Sequence, residues 1–313
     1  MASMLRMFVF AHRSIALNQP QSTQTATNGA KISTFLLLTT VLTAICYYFL
    51  VGPNPQEVFG LGLIFSPALA AIITQFVFER RLAGLGWKIA APKDLLLSYS
   101  LPLGYGLVVY SVVWLSGIGD FSLQALASQV GLATPLAISG FWGYLGEAAT
   151  LGIVRSAILA FGEELGWRGF LVPELSKRYS LAATATISGL IWAIWHYPAI
   201  LLVEYNNAGA PLWFGLCCFT ILVVGLSFVM AWLRLKSASV WPAVLLHASH
   251  NIFIQTVFNP LTSKNAITPY VIDEFGVGLA LVVGVLAWLV WQRTKSSQDR
   301  TSSKEQNLPS IQI

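Results

Sequence analysis

The sequence has little charge. Asp, Glu, Lys and Arg make up 10% of its 313 residues, against about 25% in soluble domains, while 56% are hydrophobic and the mean hydropathy is +0.68. A soluble fold could not hide that much apolar surface, which excludes a soluble enzyme or a DNA-binding module. Cysteine is equally scarce. Cys46, Cys217 and Cys218 all fall inside apolar runs, where they read as small packing residues rather than a disulfide framework or a ligand set. The net charge is +5, but no block of five or more like charges exists, so the electrostatic footprint of a nucleic-acid binder is missing. Two nucleophile and metal signatures are absent as well. There is neither a Gly-x-Ser-x-Gly elbow nor a His-Glu-x-x-His helix, and no Ser, Cys or Thr stands beside a candidate base in a recognisable motif.

What the chain has instead is long apolar runs. Crossing ~30 Å of hydrocarbon takes about 20 helical residues, and runs of that order fall near 33–51, 58–78, 95–117, 150–173, 181–203, 211–233, 238–258 and 276–292. The expectation is an all-α, polytopic membrane protein of about eight transmembrane helices. Short connections carry turn formers, such as Gly52-Pro53-Asn54-Pro55. The one long connection, 118–149, is semi-apolar and is expected to hold an interfacial or re-entrant helix. Residues 1–30 and 294–313 are polar enough to read as flexible tails around a 31–293 helical domain.

Lys and Arg give an independent check on this map, because they accumulate in cytoplasmic connections. With the N-terminus inside, all of the 18 except Lys264 and Arg155 fall in cytoplasmic segments. A missed span would flip every later connection, so the asymmetry supports eight spans with both termini cytoplasmic.

Ionisable groups inside a span cost several kcal/mol unless paired or wetted, which makes each one a functional hypothesis. They concentrate in three spans: Glu163, Glu164 and Arg168 in the fourth, His196 in the fifth, and His247, His250 and Asn251 in the seventh. If the fourth and fifth spans form a hairpin turning near Tyr179, Glu163 lies 16 residues before the turn and His196 lies 17 after it, at similar depth. His247 and Asn251 are one helical turn apart and can point the same way. Glu164 and Arg168 have the i, i+4 spacing of a structural ion pair, with Arg168 orienting rather than reacting. Arg155 can pair with Glu147. His250 reads as a packing residue.

A carboxylate near a neutral histidine can hold and deprotonate a water. A second histidine and an asparagine amide can donate hydrogen bonds to the oxyanion formed when that water attacks a carbonyl. Glu163, His196, His247 and Asn251 therefore describe amide hydrolysis by direct water attack, with no cofactor required. Glu163, His196 and His247 are also ligand types for Zn²⁺ with an open position, so a divalent metal stays open at this level.

Glu163-Glu164-x-x-x-Arg168, an aromatic-x-x-x-His ending at His196, and His247-x-x-x-Asn251, in that order, resemble the CPBP family of CAAX proteases and bacteriocin-processing enzymes. The resemblance covers roughly residues 140–256. It implies an eight-helix intramembrane glutamic endopeptidase with Glu163 as base, His196 on the water, and His247 and Asn251 at the oxyanion. Trp192 stands where the family often has phenylalanine. The implied partners are membrane lipids and a peptide or protein substrate, lipid-modified or not. Two competing readings are a non-catalytic membrane scaffold or bacteriocin-immunity protein and a proton-coupled transporter; against the latter, no internal repeat is visible.

Overall fold

The computed structural model describes residues 21–131, 137–202 and 209–306. Those residues form a helical bundle: α1 (Gln21–Val51), α2 (Val58–Glu79), α3 (Pro92–Ser116), the short α4 (Leu123–Gln129), the long α5 (Ile138–Ser176), α6 (Leu181–Leu202), α7 (Leu212–Ser237), α8 (Trp241–His250, continued as π-helical Asn251–Phe258) and α9 (Val277–Gln306). Two-residue strands, β1 (Asp120–Phe121) and β2 (Thr262–Ser263), pair antiparallel and tie the α3–α4 connection to the α8–α9 connection.

Seven of these helices are long and apolar enough to cross a membrane. The protein is an all-α, integral multi-pass membrane protein. The eighth apolar run, 238–258, corresponds to α8 and stands outside the seven, because two histidines, an asparagine and a glutamine dilute its hydropathy. Those polar groups are tolerated because α8 packs between α3 and α5 in the interior, with Leu246, Ala248 and Ser249 fully buried. Large apolar side chains such as Leu37, Leu115, Ile194 and Leu281 instead face outward, as lipid contact requires.

Three boundaries differ from the sequence reading. Helix α1 begins at Gln21, inside the segment read as a tail, because Asn28 donates to the Glu174 carbonyl and the buried Lys31 pairs with Glu79. Helix α9 runs on to Gln306; the rest of both expected tails, 1–20 and 307–313, lies outside the described residues. The long 118–149 connection holds α4, N-capped by Ser122, whose Oγ accepts from the Ala125 amide at 3.0 Å. It also holds the first turns of α5, which therefore starts well before residue 150.

The helices that carry the polar groups are brought together by two local devices. Gly162 and Gly166, one turn apart on α5, let it approach α2 closely: a Cβ at Gly166 would lie 2.5 Å from Pro67, and one at Gly162 2.9 Å from the Ile64 carbonyl. Pro67 deprives the Leu63 carbonyl of its usual amide donor, and Ser66 replaces it, donating from Oγ at 2.8 Å. The second device is Arg234 on α7. Its guanidinium donates to the carbonyls of Arg168 and Gly84, both at 2.8 Å. The acceptor from Arg168 belongs to a π-helical stretch of α5, Leu165–Leu171, where carbonyls freed by the wider turn need donors. Arg168 and Arg234 are thus buried structural cations, not the loop charges that the topology reading counted.

Candidate active site

Glu163 and Glu164 are adjacent on α5 and so point to different sides of it. Glu164 is fully buried. Its Oε1 accepts from Arg168 Nη1 at 2.8 Å and from His247 Nδ1 at 3.0 Å. Arg168 forms the i, i+4 pair that the spacing predicts, donates from Nη2 to Ser227 Oγ on α7 at 2.9 Å, and lies 4.0 Å from the centre of the Trp192 ring. A cation, a hydroxyl and an indole face fix one end of the α5–α8 contact in this way. Arg155 makes its predicted pair with Glu147 at 2.7 Å on the exposed side.

Glu163 faces a cavity of about 460 Å³. Its Oε2 accepts from the Trp192 indole N–H at 2.9 Å. His196 Nε2 is 3.8 Å from the same oxygen, beyond direct hydrogen-bonding reach. The other ring nitrogen of His196, Nδ1, lies 2.9 Å from the Trp192 carbonyl. A carbonyl can only accept, so Nδ1 carries a proton, and in the neutral form this is the tautomer whose Nε2 lone pair faces Glu163. The same logic applies at His247: its Nδ1–H is committed to Glu164, and Nε2 is left for the cavity. His247 and Asn251 both line that cavity with Glu163 and His196. The four residues singled out from sequence therefore converge on one space, while Glu164 and Arg168 sit behind its wall.

The structure adds residues that the sequence reading passed over. Trp192 stands where the family often has phenylalanine, yet its N–H is a donor to Glu163 that no phenylalanine offers; its position one turn before His196 was the available signal. Ser227 is the partner of Arg168 and could have been suspected as a polar residue in an otherwise apolar span. Gln255, one turn beyond Asn251, also lines the cavity. His250 is not a simple packing residue. Its Nδ1 lies 2.5 Å from the Tyr105 hydroxyl and its Nε2 2.9 Å from Glu274 Oε1, and both His250 and Glu274 border the cavity.

Among the described residues no group of three His, Cys, Asp or Glu side chains is placed to hold an ion. Glu163, His196 and His247 do not form such a group in this arrangement.

Residues 146–253 match the family model for the Rce1-like proteins, type II CAAX prenyl endopeptidases. The resemblance read from the motifs is borne out. The matched stretch contains every motif residue named above, from Glu163 to Asn251. A relative, CAAX prenyl protease 2 from Methanococcus maripaludis, is 32% identical over 94 residues, which are 29% of this chain and 34% of that protein. The chain thus spans about a third of the length of the curated relative that it matches. Glu274, beyond residue 253, lies outside the matched stretch.

Proposed function

We propose that the protein is an intramembrane endopeptidase of the CAAX-protease type, hydrolysing a peptide bond by direct attack of a water that Glu163 and His196 activate. The observation that carries this reading is the convergence of Glu163, His196, His247 and Asn251 on one cavity inside a membrane bundle. Glu163 Oε2 and His196 Nε2 are both acceptors facing that cavity, 3.8 Å apart. Such a pair suits a water donating one O–H to each, which leaves its lone pair for a substrate carbonyl carbon. Glu163 takes the proton as the water adds and returns it to the leaving nitrogen. The Asn251 amide donates to the oxyanion. His247, its Nδ1 held by Glu164, donates there from Nε2 as an imidazolium. The substrate is a peptide or protein, lipid-modified or not, and both termini lie on the cytoplasmic side.

The test is cleavage of a peptide library, prenylated members included, by purified wild type and Glu163→Ala in detergent, with folding of both checked and a chelator arm. Cleavage that is lost in Glu163→Ala and survives the chelator is expected. Chelator sensitivity would replace the mechanism with a metal-dependent one. A folded wild type that cleaves nothing would leave the scaffold or immunity reading. Labelling of single cysteines placed before residue 20 and after residue 306 in sealed vesicles checks the orientation.

A further inference from the structure

A second polar wall borders the cavity. It comes from α8, α3 and the connection before α9, and the mechanism above does not use it. Tyr105, His250 and Glu274 form a hydrogen-bonded row, with Tyr105 Oη to His250 Nδ1 at 2.5 Å and His250 Nε2 to Glu274 Oε1 at 2.9 Å. All three are buried. Asp273, the neighbour of Glu274, has φ +67°, an uncommon backbone state outside glycine. It is held by Asn259, whose amide donates to Oδ2 at 2.8 Å, and its Oδ1 accepts from the Glu274 amide at 2.8 Å. Glu274 is thus fixed from its side chain and its backbone, with its carboxylate at the edge of the cavity.

Along α8 the cavity wall reads His247, His250, Asn251 and Gln255. Eight residues of helix rise about 12 Å, the length of three or four extended peptide residues. The His247 end is the Glu163 end, through Glu164. Asn251 is itself at the reacting centre, so the wall continues past it by four residues to Gln255, about 6 Å, enough for one or two residues of substrate.

We infer that Glu274, braced by His250 and Tyr105, is a subsite for the segment on the leaving-nitrogen side of the scissile bond, binding the amine that hydrolysis creates there. The inference rests on the peptidase reading. Charge decides the side. In hydrolysis the water oxygen bonds to the carbonyl carbon, the C–N bond breaks and a proton goes to nitrogen. One product carries a new carboxylate and the other a new amine. A fixed carboxylate repels the first product and attracts the second.

The experiment is product inhibition of the purified full chain. The amine-side fragment of a peptide that wild type cleaves is compared with its N-acetylated form, as inhibitors of wild type, Glu274→Gln and Glu274→Asp. A charge-assisted hydrogen bond in a cavity gives a difference on the order of tenfold or more. The free amine is expected to inhibit wild type at least about tenfold more strongly than the acetylated fragment, and Glu274→Gln is expected to lose that preference while still cleaving. Equal inhibition of wild type by the two fragments overturns the subsite whether or not the variants fold. A preference that persists unchanged in folded Glu274→Gln overturns it too, and would leave the Tyr105–His250–Glu274 row as a clamp on the α8–α9 connection. If wild type cleaves no peptide at all, the peptidase reading itself falls and this inference with it.

Discussion

The Glu163 side of α5 and the Glu164 side are one residue apart and could hardly differ more. On the Glu164 side a fully buried carboxylate is met by Arg168 and His247, and the arginine is satisfied in turn by Ser227 and the Trp192 ring. On the Glu163 side the carboxylate accepts from a neutral donor, the Trp192 N–H, and faces the cavity and His196. A carboxylate neutralised by a cation is committed to holding structure. One that meets a neutral donor and a cavity keeps oxygen lone pairs open to what enters that cavity, as the proposed water attack needs. The chain uses the same residue type twice, and the surroundings divide the labour.

That contrast can be broken by substitution. The largest effect is expected at Glu163→Gln, which keeps the shape and the indole contact but removes the proposed base: kcat should fall by about 10²–10⁴, the range for losing general-base catalysis, with thermal stability little changed. Glu164→Gln should do the reverse of this in stability. Stranding Arg168 as a buried cation costs about 3–5 kcal/mol, read as a collapse in folded yield and melting temperature in detergent. A milder change is Trp192→Phe, which deletes the indole donor to Glu163. Removing a hydrogen bond to a charged group is worth about 1.5–3 kcal/mol, so kcat should drop tenfold or somewhat more while the fold persists. The smallest is Ser227→Ala, expected to cost about 1 kcal/mol of stability and to leave cleavage nearly intact. Equal activity losses in Glu163→Gln and Ser227→Ala would show that the two sides of α5 do not divide the work as described.

Much of this was legible in the sequence because the bilayer imposes a length and a cost. Seven spans follow from apolar runs alone, and the rarity of ionisable groups inside them makes Glu163, His196 and His247 conspicuous. The hairpin count that put Glu163 and His196 at one depth works because α5 and α6 are consecutive and antiparallel. What escaped depends on partners far apart in the chain. His250 looked inert because Tyr105 is 145 residues away and Glu274 lies in a connection with no periodic pattern. Asn28 looked like tail, and Lys31 like one more cytoplasmic charge, because their partners, at Glu174 and Glu79, are invisible to local composition. Arg168 and Arg234 passed for loop charges because a count of basic residues carries no information on burial. Trp192 stands where phenylalanine is often found, and the sequence does not say that the single N–H on its ring reaches Glu163.

The seam between Gly162 and Gly166 has a consequence for engineering. Glu163 sits between two positions where α5 rests almost directly on the backbone of α2, so its height in the bundle is set by a hard stop rather than by side chains that can yield. Cavity-lining residues such as Leu226 or Met230 can be exchanged to change what enters, because they lie on α7, away from that stop. A methyl group at 162 or 166 would instead lift the whole helix and detune every distance at once, like shimming the bed of a lathe to adjust one tool.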